Sequence, residues 1–314
     1  MVNAISISDV DTNEYVNITK YGDEYFVLDS IDWDTAAITM STYELPKQIG
    51  ASVVGVAIGT RKPKITGYVV GLRSGDTIGS KTWKEYFEAQ QEIIEQNKVA
   101  LNRLLNPLRT LRIVAGEYYL EGRVSTLPKY STSEEENNEV MCKFTVEFTC
   151  FNPMFRKLNA NTILFTERED KFRFPWVIKK TGNIFGVITR NSLMTVTNSG
   201  DIETGAIIEM IAKGGEVKNP SFFDAETNET IKIEYTLQSG DRLIINTNTG
   251  SESVTVMKED SGEEVVLGYM TDDSVFVQIK RGLGTYGYSA DGETAVFLKV
   301  TVTIEEQMFT IETL

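Results

Sequence analysis

Histidine is absent from the 314-residue chain. That absence removes Ser-His-Asp and Cys-His catalysis, histidine-ligated zinc and any imidazole pH switch. Only two cysteines are present, Cys142 and Cys150. They end a run in which Cys142, Phe144, Val146, Phe148 and Cys150 alternate with Lys143, Thr145, Glu147 and Thr149. Period-two alternation marks a strand, on which the thiols share a face but sit about 26 Å apart at ~3.3 Å per residue. A disulfide needs Cα atoms within ~7 Å, so both are expected to be free, buried thiols.

No stretch approaches the ~20 consecutive apolar residues of a membrane helix. The start, Met1-Val2-Asn3-Ala4-Ile5-Ser6, lacks the basic and apolar regions of a signal peptide. We therefore expect no membrane insertion and synthesis in a cytosol. Basic charge is also short: 31 Lys and Arg face 45 Asp and Glu, for a net charge of −14. Neither half carries a basic stripe, which argues against sequence-specific nucleic-acid binding.

Length favours two domains, since one core rarely exceeds roughly 250–300 residues. In the first half, Tyr15–Thr19, Tyr25–Leu28 and Lys64–Val70 read as strands, the first two joined by a hairpin signal at Tyr21-Gly22-Asp23-Glu24. One long helix is expected between Thr82 and Asn106. Thr82-Trp83-Lys84-Glu85 has the capping-box pattern, and Pro107 ends the run. Trp83, Phe87, Ile94, Leu101, Leu104 and Leu105 fall on its packing face. Arg112–Ala115 and Tyr118–Leu120 flank Gly116-Glu117, which suggests a hairpin, Glu121–Leu127 and Val140–Cys150 are further strands, and acidic Ser131–Glu139 is a loop between them. Alternation stops at Pro153, which sets the boundary: residues 1–155 and 156–314.

The second half has short strands divided by turn signals: Leu193–Thr197, Ile207–Ile211, Thr230–Glu234, Arg242–Asn246, Ser253–Met257, Val275–Ile279 and Ala295–Ile304. Turns are expected at Asn198–Asp201, Gly214-Gly215, Asn219-Pro220, Ser239–Asp241, Asp260–Gly262 and Asp291-Gly292. This spacing reads as a β-sandwich. The fold class is mainly β with one long helix.

Few motifs carry chemistry. Gly282-Leu283-Gly284-Thr285-Tyr286-Gly287 matches the dinucleotide spacing, but turn residues rather than a helix follow it. We read it as a glycine-rich loop, with Tyr286 and Tyr288 as a candidate partner-contact surface. Asp9–Asn13 opens like a calcium loop, yet Glu14 and Lys20 stand where glycine and a bidentate glutamate are needed. The carboxylate pairs Asp272-Asp273, Glu263-Glu264 and Glu305-Glu306 point to opposite strand faces. Trp33, Trp83 and Trp176 are candidate sugar platforms, with helix packing the better account of Trp83. Ala51–Ile58 is an apolar run that serves either as a core strand or, through Val53, Val54, Val56 and Ile58, as an oligomer interface. Nothing asks for a cofactor or a metal.

Residues 60–158 resemble the N-terminal domain of distal tail proteins from siphophages of Gram-positive hosts. The ordered features are Arg61–Tyr68, the helix ending Leu101-Asn102-Arg103-Leu104-Leu105-Asn106-Pro107, the Leu111–Tyr119 pair, Glu136–Glu139 before Lys143–Phe148, and Cys150-Phe151-Asn152-Pro153-Met154-Phe155-Arg156. Residues 192–304 resemble the same family's C-terminal domain through Asn198–Asp201, Gly214–Pro220, Thr227–Thr230 and Ser239–Asp241. The resemblance implies an N-terminal β-sandwich with one helix, six copies of which close a ring, and a galectin-like C-terminal sandwich. It implies the tail tube protein, the tape measure protein and a tail-associated lysin or fibre (receptor-binding) protein as partners. It places the chain at the virion tail tip, assembled in the host cytoplasm, in a ring that lets DNA pass. In some relatives the final residues, here about 306–314, return to the N-terminal domain. Three other readings stand beside it: a carbohydrate-binding module for wall glycan, a wall hydrolase, and a different tail ring protein. Against the first, the histidine–arginine constellation of galectin-type binding is missing.

Overall fold

The computed structural model describes residues 2–45, 49–73, 82–170, 186–190, 193–258 and 262–311. Two compact units form, one of Met1–Leu158 with Phe309–Leu314, the other of Asn159–Met308.

The first unit holds β1 (Ala4–Asp9), β2 (Tyr15–Thr19), β3 (Phe26–Asp32), β4 (Ile38–Tyr43), β5 (Ser52–Ile58), β6 (Lys64–Val70), α1 (Trp83–Leu104), β7 (Leu111–Ala115), β8 (Tyr118–Tyr130), β9 (Met141–Thr149) and β10 (Phe155–Lys157). The neighbour order runs β10-β8-β7-β1-β2-β3-β6-β9, and β9 also pairs with β8. The two faces of this sandwich are therefore joined into a circuit of seven strands, in which β2 and β3 meet through a single residue pair. β8 makes the circuit possible by its length. Its first part pairs with β7, from Ala115↔Tyr118 to Leu111↔Gly122. Its second part pairs with β9, from Arg123↔Thr149 to Tyr130↔Phe144, with two register shifts around Thr126. Pro128, which has no N–H to give a ladder, sits in the shifted stretch. Gly122 marks the handover: a Cβ there would lie 2.6 Å from the Thr149 carbonyl oxygen and 2.8 Å from the Cys150 sulfur.

Alternation on β9 places Cys142, Phe144, Val146 and Phe148 in the core, and Cys150 is buried as well. Both thiols are free. Burial pushes Cys150 up to about 12 and raises Cys142 too, so neither is a reactive thiolate at neutral pH.

The turn at Tyr21–Glu24 does not make a hairpin. Gly22 supplies the bend at φ +67°, but β2 and β3 meet only through one parallel pair, Thr19↔Val27. The antiparallel partner of β3 is β6, from Phe26↔Val69 to Asp32↔Lys64. That register buries Phe26 and Leu28 with Ile65 and Val69, and burial outweighs the local turn signal.

Helix α1 starts as its sequence requires. The Thr82 hydroxyl accepts the Glu85 N–H at 3.4 Å, and the Glu85 carboxylate accepts the Thr82 N–H at 2.9 Å. Gln90, Ile94, Leu101 and Leu104 are buried along its inner face, with Leu105 after it. The first turn departs from that face. Trp83 is 72% exposed, its ring 6.0 and 6.2 Å from those of Tyr86 and Phe87 on the same helix, so packing of the helix against the core does not account for it. Thr82→Ala should destabilise the first unit by about 1 kcal/mol, read as a lower denaturation midpoint; an unchanged midpoint would show that the cap contributes nothing.

The second unit holds β11 (Asn161–Leu164), β12 (Thr166–Asp170), β13 (Gly186–Arg190), β14 (Leu193–Asn198), β15 (Ala206–Ala212), β16 (Val217–Asp224), β17 (Thr230–Lys232), β18 (Thr236–Leu237), β19 (Arg242–Asn246), β20 (Ser253–Lys258), β21 (Gly262–Val265), β22 (Gly282–Asp291), β23 (Leu298–Ile304) and β24 (Gln307–Met308). β11-β23-β15-β19-β20-β21 form one sheet, and β14-β22-β16-β17, with β18 on β16, form another. Ile208, Leu243, Val254 and Val302 from the first sheet share one core with Val196, Phe222, Ile231 and Tyr286 from the second. This is a β-sandwich.

Three sequence expectations change here. Asn219-Pro220 lies inside β16 rather than at a turn. Asn219 has φ +48° and the β16–β22 register shifts between Lys218 and Ser221, a bulge that absorbs the proline. Val275–Ile279 is not a strand; its one bridge is Ile279↔Thr204, although Val277 and Ile279 are buried. Gly282–Gly287 is not a loop but the first part of β22.

Candidate assembly surfaces

Among the described residues β4 and β5 pair only with each other. Their ladder runs Ile38↔Ile58, Thr39↔Ala57, Met40↔Val56 and Ser41↔Gly55, then shifts by a bulge to Thr42↔Val53. Residues directly opposite share a face. One face therefore carries Ile38, Met40, Thr42, Val53, Val56 and Ile58, apolar but for Thr42; the other carries Thr39, Ser41, Tyr43, Ser52, Gly55 and Ala57. Val53, Val54, Val56 and Ile58 are 57%, 68%, 58% and 39% exposed. Ile38 and Met40 are as open, each at 59%. A two-stranded ribbon is marginal in water by itself, and the apolar side chains of this one are open to solvent.

The base of this arm is held firmly. The Gly59 N–H donates to the Ala37 carbonyl at 2.7 Å. Asp34, at φ +55°, accepts the Lys62 N–H at 3.0 Å. Arg61 is buried, with its guanidinium 4.5 Å from the centre of the Phe155 ring. It donates to the carbonyls of Asp34 at 3.3 Å and Phe309 at 2.6 Å. Burial pulls the Arg61 pKa down, against the opposing pull of Cys150 and Asp34. Trp33 stands edge-on to the same Phe155 ring at 5.4 Å, which makes it packing rather than a sugar platform.

A second polar cluster stiffens β7, β8 and β10. Glu121 accepts from Arg112 at 2.7 and 3.0 Å and from Arg156. The two guanidiniums lie over Tyr119, at 4.4 and 4.7 Å from its centre. Burial alone pushes the Glu121 carboxyl up, but the combined pull of Arg156 and Arg112 outweighs it and the pKa is lowered. A carboxyl with a depressed folded pKa contributes stability that is present above its unfolded pKa and lost as pH falls through the folded one. Glu121→Gln should therefore cost about 1–3 kcal/mol at pH 7, and the gap should shrink as pH drops through the carboxylate range. A gap independent of pH, in urea titrations at several pH values, would contradict this.

The glycine-rich candidate does not survive as a contact loop. Tyr286 and Tyr288 alternate inward on β22 and are buried. Tyr286 stacks on Phe222 at 5.9 Å with rings 3° from parallel. Its hydroxyl accepts the Lys280 N–H at 2.9 Å and donates to the Gln278 carbonyl at 3.3 Å. Gly284 is bare because a Cβ there would lie 2.6 Å from the Tyr286 ring. Gly284 is thus a packing requirement, whereas Gly282, with open space around it, serves its backbone at φ +83°. Trp176 lies outside the described residues.

Of the doubled carboxylates, Glu264 is held in an ion pair. Glu264 is drawn to the Lys258 ammonium at 2.6 Å and the Tyr235 hydroxyl at 3.2 Å, and its pKa is lowered chiefly by the Lys258 hydrogen bond, the wrong direction for a general acid. Among the described residues no cluster of three Cys, Asp or Glu is placed to hold a metal, and no helix is long and apolar enough to cross a membrane.

Residues 199–306 match the family model for the C-terminal domain of siphovirus-type tail components. That match lies within the second unit. The chain is also similar to the crystal structure of the Dit protein of phage SPP1, described as a paradigm of the hub adsorption apparatus in phages infecting Gram-positive bacteria. That similarity has a TM-score of 0.59 at 14% identity and covers 96% of this chain and 98% of that one. A chain of the phage p2 baseplate, in its activated conformation with Sr, matches with a TM-score of 0.54 at 9% identity over 99% of this chain and 100% of that chain. The same baseplate with Ca gives 0.51 and 10% over 99% and 100%. No curated protein matches. At such identities the structures testify to fold alone, and the family model speaks for residues 199–306.

Proposed function

We propose that the chain forms a hexameric ring at the tail tip, joining the tail tube to the host-adsorption apparatus and leaving a passage for DNA. The observation that carries this is the β4–β5 arm, an exposed apolar ribbon on the first unit. A ring needs a patch on each copy that a neighbour covers, and this exposed apolar arm is such a patch. The first unit, about residues 1–155, makes the ring. The second, about 156–314, carries contacts to the adsorption proteins, while the chain end from about 306 is held in the first unit, as the Arg61–Phe309 hydrogen bond supports. The tail tube protein, the tape measure protein and a tail-associated lysin or fibre protein are the remaining partners, met during assembly in the host cytoplasm. The role is structural, without catalysis or cofactor. The net charge of −14 suits a passage to which DNA must not adhere. Gold-labelled antibody to the chain should decorate the tip of intact tails; decoration of capsids or of the whole tail length would sink the assignment.

A further inference from the structure

We infer that the groove between α1 and β2 receives the β4–β5 arm of a second copy of this chain. The inference rests on the ring reading and names the surface that completes it. A cavity of about 420 Å³ opens there, lined by Tyr15, Val16, Phe26, Val99, Leu101 and Leu104 among others. Tyr15 and Val99 at its lip are 68% and 67% exposed. The two charged residues that line it, Glu14 and Arg103, already face each other at 3.5 Å, and Glu14 also meets Arg109 at 3.1 Å. What remains is an apolar floor with its charges answered. β4 and β5 contain no Asp, Glu, Lys or Arg, and their open face is apolar but for Thr42. An uncharged ribbon and a charge-satisfied apolar groove are complementary; a charged ribbon would lose hydration there without gaining a partner.

Strand β3 fixes the direction. Phe26, its first residue, lines the groove, while Asp32, its last, leads into the arm. The two ends are six residue steps apart, roughly 20 Å at ~3.3 Å per residue. The arm leaves from the end of β3 remote from the groove, so it is directed to another molecule's groove rather than its own. Two different patches at opposite ends of one subunit are what a head-to-tail ring requires.

The test uses two full-length variants, Val56→Cys and Val99→Cys, mixed in equal amounts under mild oxidation. Cys142 and Cys150 are fully buried and do not compete. A disulfide-linked dimer in the mixture, and little in either variant alone, is expected, with a ladder of higher species from the double variant. In parallel, Val99→Asp, at a position exposed in the single chain, should keep its melting temperature and lose assembly. If light scattering shows a ring but the mixture gives no dimer and Val99→Asp assembles normally, the arm sits elsewhere and this inference is wrong while the ring reading stands. A wild-type chain that stays monomeric and uncrosslinked at high concentration overturns both.

Discussion

Val56→Asp should give a chain that folds normally and runs as a monomer. Val56 faces Met40 across the apolar side of the arm and is 58% exposed. In the single chain an aspartate there stays in water, and surface substitutions of this kind change stability by about 0.5 kcal/mol or less. In an assembled ring the same carboxylate would be enclosed without a partner, which costs about 3–5 kcal/mol. At ~1.4 kcal/mol per tenfold, each contact weakens by roughly 10² to 10⁴. Val56→Ile keeps the face apolar and should keep the mass of the wild type. Light scattering reads both, with circular dichroism melts as the folding control. An aspartate variant that still assembles would remove the arm from the interface.

Phe144→Ala should cost about 3–5 kcal/mol, the range for emptying a buried aromatic site. Phe144 is fully buried at the centre of β9, opposite Gly67 on β6 and Tyr130 on β8. Its ring occupies the space left by Gly67, where a Cβ would stand 3.0 Å from it. Two strands of the circuit therefore lean on one side chain, and little can collapse to refill the site. Urea denaturation followed by a probe in the first unit measures the loss. A cost under about 1 kcal/mol would mean that the circuit does not close around this residue.

Signals confined to one element could be read from the sequence. The Thr82-x-x-Glu85 box and Pro107 placed α1 because caps and breakers act within a few residues. The Cys142–Cys150 alternation placed β9 because a one-sided strand writes its faces in order. Strand identity in 51–58 was equally plain, but its exposure was not. Valines on a core strand and on a free arm look alike until the partners of the strand are known, and partners are a matter of distant register. The same holds for β8, whose pairing with both β7 and β9 depends on residues outside its own segment. Glycines misled at 282–287, where the segment is a strand and Gly284 makes room for Tyr286. Proline misled at 220, where a bulge keeps the strand going. The groove beside α1 joins Val16, Phe26 and Leu104 from three separate elements, and no local pattern announces it.

The mass of the full-length chain across a concentration series, by light scattering, bears most directly on the central claim. The account predicts a species six times the 35.2 kDa chain mass, with ring-shaped particles in electron micrographs of the same sample. A chain that remains a monomer throughout, or that forms open filaments of undefined length, would contradict it.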